Sequence, residues 1–254
     1  MPSNSASSPA SSPTTANRPG YRRAAADAPV DVLATRLSAD APTHYGVDRP
    51  LSEFARAVEA EIRDRWQALR AADLLSVVGV GNSSRREPGT DRIVLGGFYP
   101  YTPFGDGVPR TVTITLSDGR IVEGEGHAGL IEVAPLYVAV HRERPDLGAI
   151  IHTHSPALSA YAVARKPFPL QLEALLPHAG SVESIPVTRW GTRYEPEPIV
   201  EALREHPGTP ALIHGNHGPF VFARDTTEVF ALLALLEESA ATAILSASLA
   251  SRPS

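Results

Sequence analysis

Two histidines one residue apart, His152-Thr153-His154, close the apolar run Gly148-Ala149-Ile150-Ile151, and the two-residue period of a strand puts both imidazoles on one face. Such a pair can chelate one metal ion. Taken alone, it fits as well a strand end whose polar side chains bond to their surroundings. A third imidazole, His217, lies in His214-Gly215-Asn216-His217-Gly218-Pro219, where the glycine after it lets the backbone turn tightly beside a ligand. The sequence has no cysteine, which removes thiolate nucleophiles and disulfides and leaves His, Asp and Glu as metal ligands. Lys166, the only lysine, sits between Arg165 and Pro167 and reads as a loop residue. Imine chemistry would need a placed lysine, so carbonyl chemistry here needs a metal instead.

These histidines require strands that end together. Short buried strands are expected at Gly148–Ile151, Ala211–Ile213 and Phe220–Phe222 around them. Further strands are expected at Leu74–Val80, Arg92–Leu95, Thr111–Leu116 and Arg120–Val122, the last two joined as a hairpin by Ser117-Asp118-Gly119. Ser52 can cap a helix whose apolar residues Phe54, Val58, Ile62, Trp66 and Leu69 recur at helical spacing. Pro135 to Arg144 reads as a helix stopped by Pro145. A last helix opens at Asp225 with Glu228 three residues on, and its apolar Val229–Leu236 stretch marks it as buried, partly by an oligomer contact.

Residues 1 to 20 are rich in Ser, Pro and Ala and read as a disordered tail. Residues 21 to 50, interrupted by Pro29, Pro42 and Pro50, read as a segment wrapping the domain or a neighbouring subunit, and residues 51 to 250 as one domain. At 254 residues, 43% hydrophobic and 20% charged, the chain is expected to be globular, and a net charge of −5 gives no reason to expect nucleic acid or an anionic membrane. A small-molecule substrate is the expected partner. No run approaches the ~18–20 apolar residues of a membrane span, and the N-terminus lacks a signal-peptide pattern, so a cytoplasmic protein is expected.

Ile151-His152-Thr153-His154-Ser155, then Ser184-Ile185-Pro186 and Gly191-Thr192, then Asn216-His217-Gly218-Pro219-Phe220 resemble, in order and spacing, the class II aldolase/adducin family of fuculose-phosphate aldolase and ribulose-phosphate epimerase. The resemblance runs from about residue 50 to about residue 245. It implies a single α/β domain with a central, mostly antiparallel sheet flanked by helices, assembled as a homotetramer with sites near subunit interfaces. It also implies that His152, His154 and His217 bind a divalent metal, usually Zn2+, with His214 outside the coordination sphere. Gly81-Asn82-Ser83-Ser84-Arg85 resembles the family loop that contacts substrate phosphate, which makes Asn82 and Ser83 substrate-binding candidates. Thr102-Pro103-Phe104-Gly105 resembles the family Thr-Pro-x-Gly turn and adds Thr102 and Gly105.

The pattern breaks where family aldolases carry Pro-Ser-Ser-Glu, with serines for phosphate and a glutamate as acid/base. Here the segment is Ala128-Gly129-Leu130-Ile131-Glu132. A phosphate loses two hydroxyl donors, and Leu130 and Ile131 argue for a less charged group. Counting back from Pro145-Asp146 puts Val133 at the glutamate's position and Glu132 beside it. A second acid/base candidate is Glu173, near where related methylthioribulose-phosphate dehydratases place such a glutamate. Tyr161, His178, Trp190, Arg193 and Tyr194 are further candidates to line the site.

The leading functional expectation is a metal-dependent lyase that acts on a hydroxy-carbonyl substrate, sugar-derived or a hydroxy acid, through a metal-stabilised enediolate, with Glu173 or Glu132 moving the proton. That intermediate serves aldol cleavage, decarboxylation, dehydration and epimerisation alike. An alternative is the iron(II), dioxygen-dependent oxygenase of aminocoumarin-type pathways, which resembles class II aldolases and acts on prenylated aromatic acids. Three histidines leave open iron positions, and the aromatic segment from Phe98 to Phe104 suits an apolar substrate. A further alternative is a catalytically inactive, adducin-like interaction module.

Overall fold

The computed structural model describes residues 31–33, 44–77, 79–98, 110–179, 182–189 and 194–250. Ser52 begins the chain of helices as expected: its hydroxyl accepts from the Ala55 N–H and α1 (Glu53–Ala71) follows, burying Ala55, Val58, Ile62, Trp66 and Leu69. Leu74–Val80, expected as a strand, is not one in its described residues. Asp73 and Gly79 take left-handed backbone (φ 55 and 58), which breaks an extended run, and the buried Leu75 and Val80 owe their apolar character to packing rather than to a ladder.

Apart from β1 (His44–Gly46), the strands fall after that break: β2 (Gly81–Arg86), β3 (Arg92–Phe98), β4 (Arg110–Thr115), β5 (Ile121–His127), β6 (Ala149–Thr153), β9 (Val187–Thr188), β10 (Ala211–His214) and β11 (Gly218–Ala223). With β1 they form one nine-stranded sheet in the order β1-β5-β4-β3-β2-β6-β11-β10-β9. Every neighbouring pair is antiparallel except β10 with β9. β7 (Phe168–Pro169) and β8 (Ser184–Ile185) pair separately. The expected hairpin joins β4 to β5, with Gly119 at φ 72 in its turn. Of the segment expected to wrap the domain, β1 lies along β5, and Val32 is buried with its N–H donating to the Gly119 carbonyl.

The sheet is covered on both faces. On one lies α2 (Ala128–Glu143), with α5 (Glu197–Glu205) beside it, over Ile93, Leu95, Ile150, Leu212, Phe220 and Phe222. On the other lie α1, α3 (Pro156–Ala164) and α6 (Thr226–Ala250), over Val94, Ile151, Ile213 and Val221. The short α4 (Leu176–Ala179) follows a 3-10 turn at Glu173–Leu175 whose Leu175 joins this second core. α2 starts seven residues before the proline that was expected to open it. Pro135 stands inside the helix, where it lacks the N–H for one helical bond, on the half-buried side that it shares with Glu132 and Ala139. α6 is, among the described residues, the one helix long and apolar enough to span a membrane. Its first half is core instead, burying Val229, Phe230, Leu232, Leu233 and Leu236, while Leu245 and Leu249 are exposed near its end.

Candidate metal centre

In the sheet register Asn82 pairs with His152 and His152 with Phe220, so all three lie on the α2 face near the end of β6. His152 is 1% exposed and its ring stacks on Phe220 at 4.4 Å between centroids. Its Nδ1 lies 2.9 Å from the Pro219 carbonyl, which only a protonated Nδ1 can satisfy. Its Nε2 then presents a lone pair. That lone pair faces His217, whose Nε2 is 3.0 Å from the His152 Nε2 and 3.3 Å from the His154 Nε2. The three ligand nitrogens all lie within 4.8 Å of one another. Nitrogens held tetrahedrally at the ~2.0–2.1 Å of a zinc–imidazole bond stand about 3.3 Å apart. The donor set therefore fits a divalent ion of zinc type with a fourth position left for solvent or substrate.

Burial, with the neighbouring His217 and His154, pushes the His152 pKa well below that of a free imidazole, against a smaller opposing pull from the Pro219 carbonyl. The ring is thus neutral, as a metal ligand must be. His214 is 2% exposed, and its Nδ1 lies 2.8 Å from Thr188 Oγ1 at the β9 edge. It stands beside His217, 5.7 Å between ring centroids, and outside the group of three.

The turn that presents His217 differs from the expectation. Asn216 takes the left-handed conformation (φ 58), which asparagine tolerates. Gly218 is needed for space: a Cβ there would stand 2.4 Å from the Thr153 carbonyl oxygen and against the His152 and His154 rings. The wall around the three imidazoles is aromatic. Tyr194, 7% exposed and at φ 63, meets His217 edge-on at 5.3 Å. Tyr137 donates to the Asn82 side-chain oxygen at 2.5 Å, and its hydroxyl also lies 3.0 Å from the Asn82 carbonyl. Burial, and then the neighbouring Tyr194, push the Tyr137 pKa well above its ordinary value, so the phenol stays a donor.

The model of the class II aldolase and adducin N-terminal domain matches residues 76–244, more than half of the chain. This chain belongs to that family. An L-ribulose-5-phosphate 4-epimerase of Salmonella paratyphi C is 28% identical over 142 residues, 48% of this chain and 57% of the relative. A 5-deoxy-D-ribulose 1-phosphate aldolase of Bacillus thuringiensis is 27% identical over 130 residues, 51% of this chain and 58% of the relative. The chain thus spans under two thirds of the length of these curated relatives. An L-fuculose 1-phosphate aldolase shares the fold with a TM-score of 0.66 at 20% identity, over 82% of this chain and 92% of that one. The Thermus thermophilus enzyme of that name aligns with a TM-score of 0.58 at 22% identity, over 77% and 97%.

Within the class II aldolase fold the other candidates separate. Asn82 faces the histidines. Ser83 does not: its alternation puts it on the opposite face, fully buried, with its hydroxyl donating to the Ile150 carbonyl at 2.9 Å. Thr102, Gly105, Trp190 and Arg193 lie outside the described residues. Glu173 is exposed, on the 3-10 turn packed with α6 and so on the far side of the sheet from α2. His178 is exposed, and Tyr161 packs on Phe168 in that second core.

Glu132 is half-buried in the first turns of α2. Along that helix Tyr137 reaches Asn82 and His141 reaches Ser84, so travel toward the C-terminus leads away from the histidines. Val133, one turn before Tyr137 and fully buried, is therefore on the site side of it, and Glu132 is turned about 100° from that line. Leu130 and Ile131 are also buried, against the backbone at Gly97 and Gly126. Where the sequence comparison expected two serines and a glutamate, this helix carries side chains that pack into the core. Phe98, the described member of the aromatic segment, stacks on Trp66 in the opposite core at 5.1 Å. Tyr137 went unremarked in the sequence; its one signal was a tyrosine inside an otherwise apolar helical stripe.

Proposed function

We propose that this protein is a divalent-metal-dependent lyase of class II aldolase type, acting on a small hydroxy-carbonyl substrate with an uncharged, partly apolar remainder. The observation that carries the reading is the convergence of three imidazole nitrogens at 3.0 and 3.3 Å, with His152 neutral and pointed by the Pro219 carbonyl. His152, His154 and His217 would hold the ion, and a bound Zn2+ supplies a Lewis acid able to stabilise an enediolate. The carbonyl of Pro219 fixes the His152 tautomer, the kind of outer contact on which ligand orientation depends. Asn82, held by Tyr137, offers polar contact beside the centre, and Phe220 and Tyr194 restrict water. Glu132 is the nearer acid/base by its place on α2, while Glu173 could serve only from a neighbouring subunit of the proposed homotetramer.

The absence of the two serines, with Leu130 and Ile131 turned into the core, supports a substrate lacking phosphate at that end. The same loss of hydroxyl donors favours a second reading, an iron(II)- and dioxygen-dependent oxygenase of a prenylated aromatic acid. Zinc ranks first because, among the described residues, no carboxylate joins the three histidines, whereas the common non-haem iron triad has two histidines and one carboxylate.

The test is elemental analysis of anaerobically purified protein beside the His152→Ala, His154→Ala double variant. Stoichiometric zinc, lost in the variant, supports the lyase and directs assays to unphosphorylated hydroxy-carbonyl compounds. Stoichiometric iron lost in the variant promotes the oxygenase. No metal in either protein sinks both and leaves the adducin-like interaction module.

A further inference from the structure

Only His152 of the three imidazoles is carried within a strand. His154 follows the last residue of β6 and leads through Ser155 into α3, and His217 stands on the β10–β11 turn. Both arms attach to α3. Its N-terminus begins two residues after His154, and near its C-terminus the Ala162 carbonyl accepts from the Asn216 N–H at 2.9 Å, beside His217. The axial position of α3 therefore sets where both rings stand.

α3 is not capped by its own sequence. Ser155 makes no side-chain cap; its Oγ lies 2.7 Å from Thr153 Oγ1. The N–H groups of Ala157 and Leu158 instead donate to Oε1 and Oε2 of Glu237, at 2.6 and 2.9 Å, across from the middle of α6. Glu237 is 5% exposed and, among the described residues, no cation pairs with it. A serine cap would stabilise the helix without burying a charge. Two oxygens on two successive donors do what a serine cannot, since they fix the helix against sliding and rotation together.

We infer that Glu237 is a positioning residue of the metal centre, setting the bite between His154 and His217 by gripping the N-terminus of α3. The inference rests on the metal reading above. It is tested with the full chain, apo and metal-loaded, by measuring Zn2+ affinity against a competing chelator and the visible absorption of the Co2+ form in wild type, Glu237→Gln and Glu237→Asp. The amide of Glu237→Gln can accept only one of the two N–H bonds. The expected result is a folded Glu237→Gln protein that holds Zn2+ about 10- to 100-fold more weakly, with an altered Co2+ band, and a Glu237→Asp protein in between. A folded Glu237→Gln with unchanged Zn2+ affinity and an unchanged Co2+ spectrum, whatever its loss of melting temperature, overturns the inference and leaves Glu237 a structural cap. If Glu237→Gln does not fold, the charge-retaining Glu237→Asp is judged by the same two readouts. Wild-type protein that binds neither ion overturns the reading of the centre itself, an outcome distinct from silent Glu237 variants of a metal-binding wild type.

Discussion

His141 and His152 are both buried imidazoles on the α2 side of the sheet, 1% exposed each, and they end in opposite chemical situations. The ring of His141 is enclosed by protein: Ser84 Oγ lies 2.8 Å from Nε2, the Arg86 guanidinium lies 3.5 Å from Nδ1, and that arginine also donates to the His141 carbonyl. Burial, then the charge of Arg86, lower its pKa to about 3, the Leu147 carbonyl opposing them. His152 gives one nitrogen to a carbonyl and turns the other toward two further imidazoles at contact distance. Burial alone is common to both and says nothing of function. What separates them is whether the second nitrogen meets a hydroxyl of the surrounding protein or two further imidazole nitrogens, a set that one divalent cation can satisfy together.

The comparison is broken most directly by substitution at each cluster. His154→Ala is expected to take bound metal from about one ion per chain to near zero, and with it the ligand-linked stabilisation, which is about 2.7 kcal/mol when free metal is 100 times Kd. Metal content and melting temperature with and without chelator check this; full retention of metal would place the ion elsewhere. His141→Gln should keep its metal.

Acid sharpens the same contrast. The His141 pKa is depressed from 6.5 to about 3, so the unfolded chain binds the proton first. Its contribution to stability is complete above pH 6.5, declines as pH falls toward 3, and totals on the order of 4–5 kcal/mol. In metal-free protein the depressed His152 and His214 act in the same direction. Denaturant unfolding between pH 7 and 4 should therefore show His141→Gln taking up about one proton fewer on unfolding than wild type. An unchanged slope would mean that His141 is already charged in the fold. At neutral pH, His141→Ala should cost about 3 kcal/mol, because Ser84 loses its partner, Arg86 loses its contact with the ring, and a cavity opens, with metal affinity unaltered.

Part of this frame was legible in the sequence. Strand alternation, a local rule, put His152 and His154 together, while His217 was named through the family resemblance of Asn216-His217-Gly218-Pro219-Phe220. Long-range register was not legible. That Asn82 stands opposite His152, and that Tyr137 reaches it, depends on β2 pairing with β6 and on where α2 crosses the sheet. The start of α2 was missed because Pro135 reads as an N-terminal residue, and the strand expected at Leu74–Val80 because apolar composition does not distinguish a packed coil from a ladder. The grip of Glu237 on α3 joins residues 80 apart and leaves no local trace.

Neighbouring residues on β2 carry the finest version of the contrast. Asn82 and Ser83 were read together as substrate contacts, yet pleating sends them to opposite faces, one toward His152 and one into the core under α1, α3 and α6. Ser83→Ala removes one buried neutral hydrogen bond and should lower stability by about 1 kcal/mol, leaving affinity for a bidentate hydroxamate, a probe of the metal's open position, unchanged. Asn82→Ala leaves the Tyr137 hydroxyl its bond to the Asn82 carbonyl, so the fold should tolerate it, while hydroxamate binding weakens about tenfold through loss of one polar contact worth about 1.4 kcal/mol. Titrations on the Zn2+ forms decide it. A weaker ligand in Ser83→Ala and a normal one in Asn82→Ala would reverse the face assigned to the site, because two adjacent strand residues cannot both reach the same ligand without a bulge, and β2 pairs with β6 in unbroken register from Gly81 to Arg85.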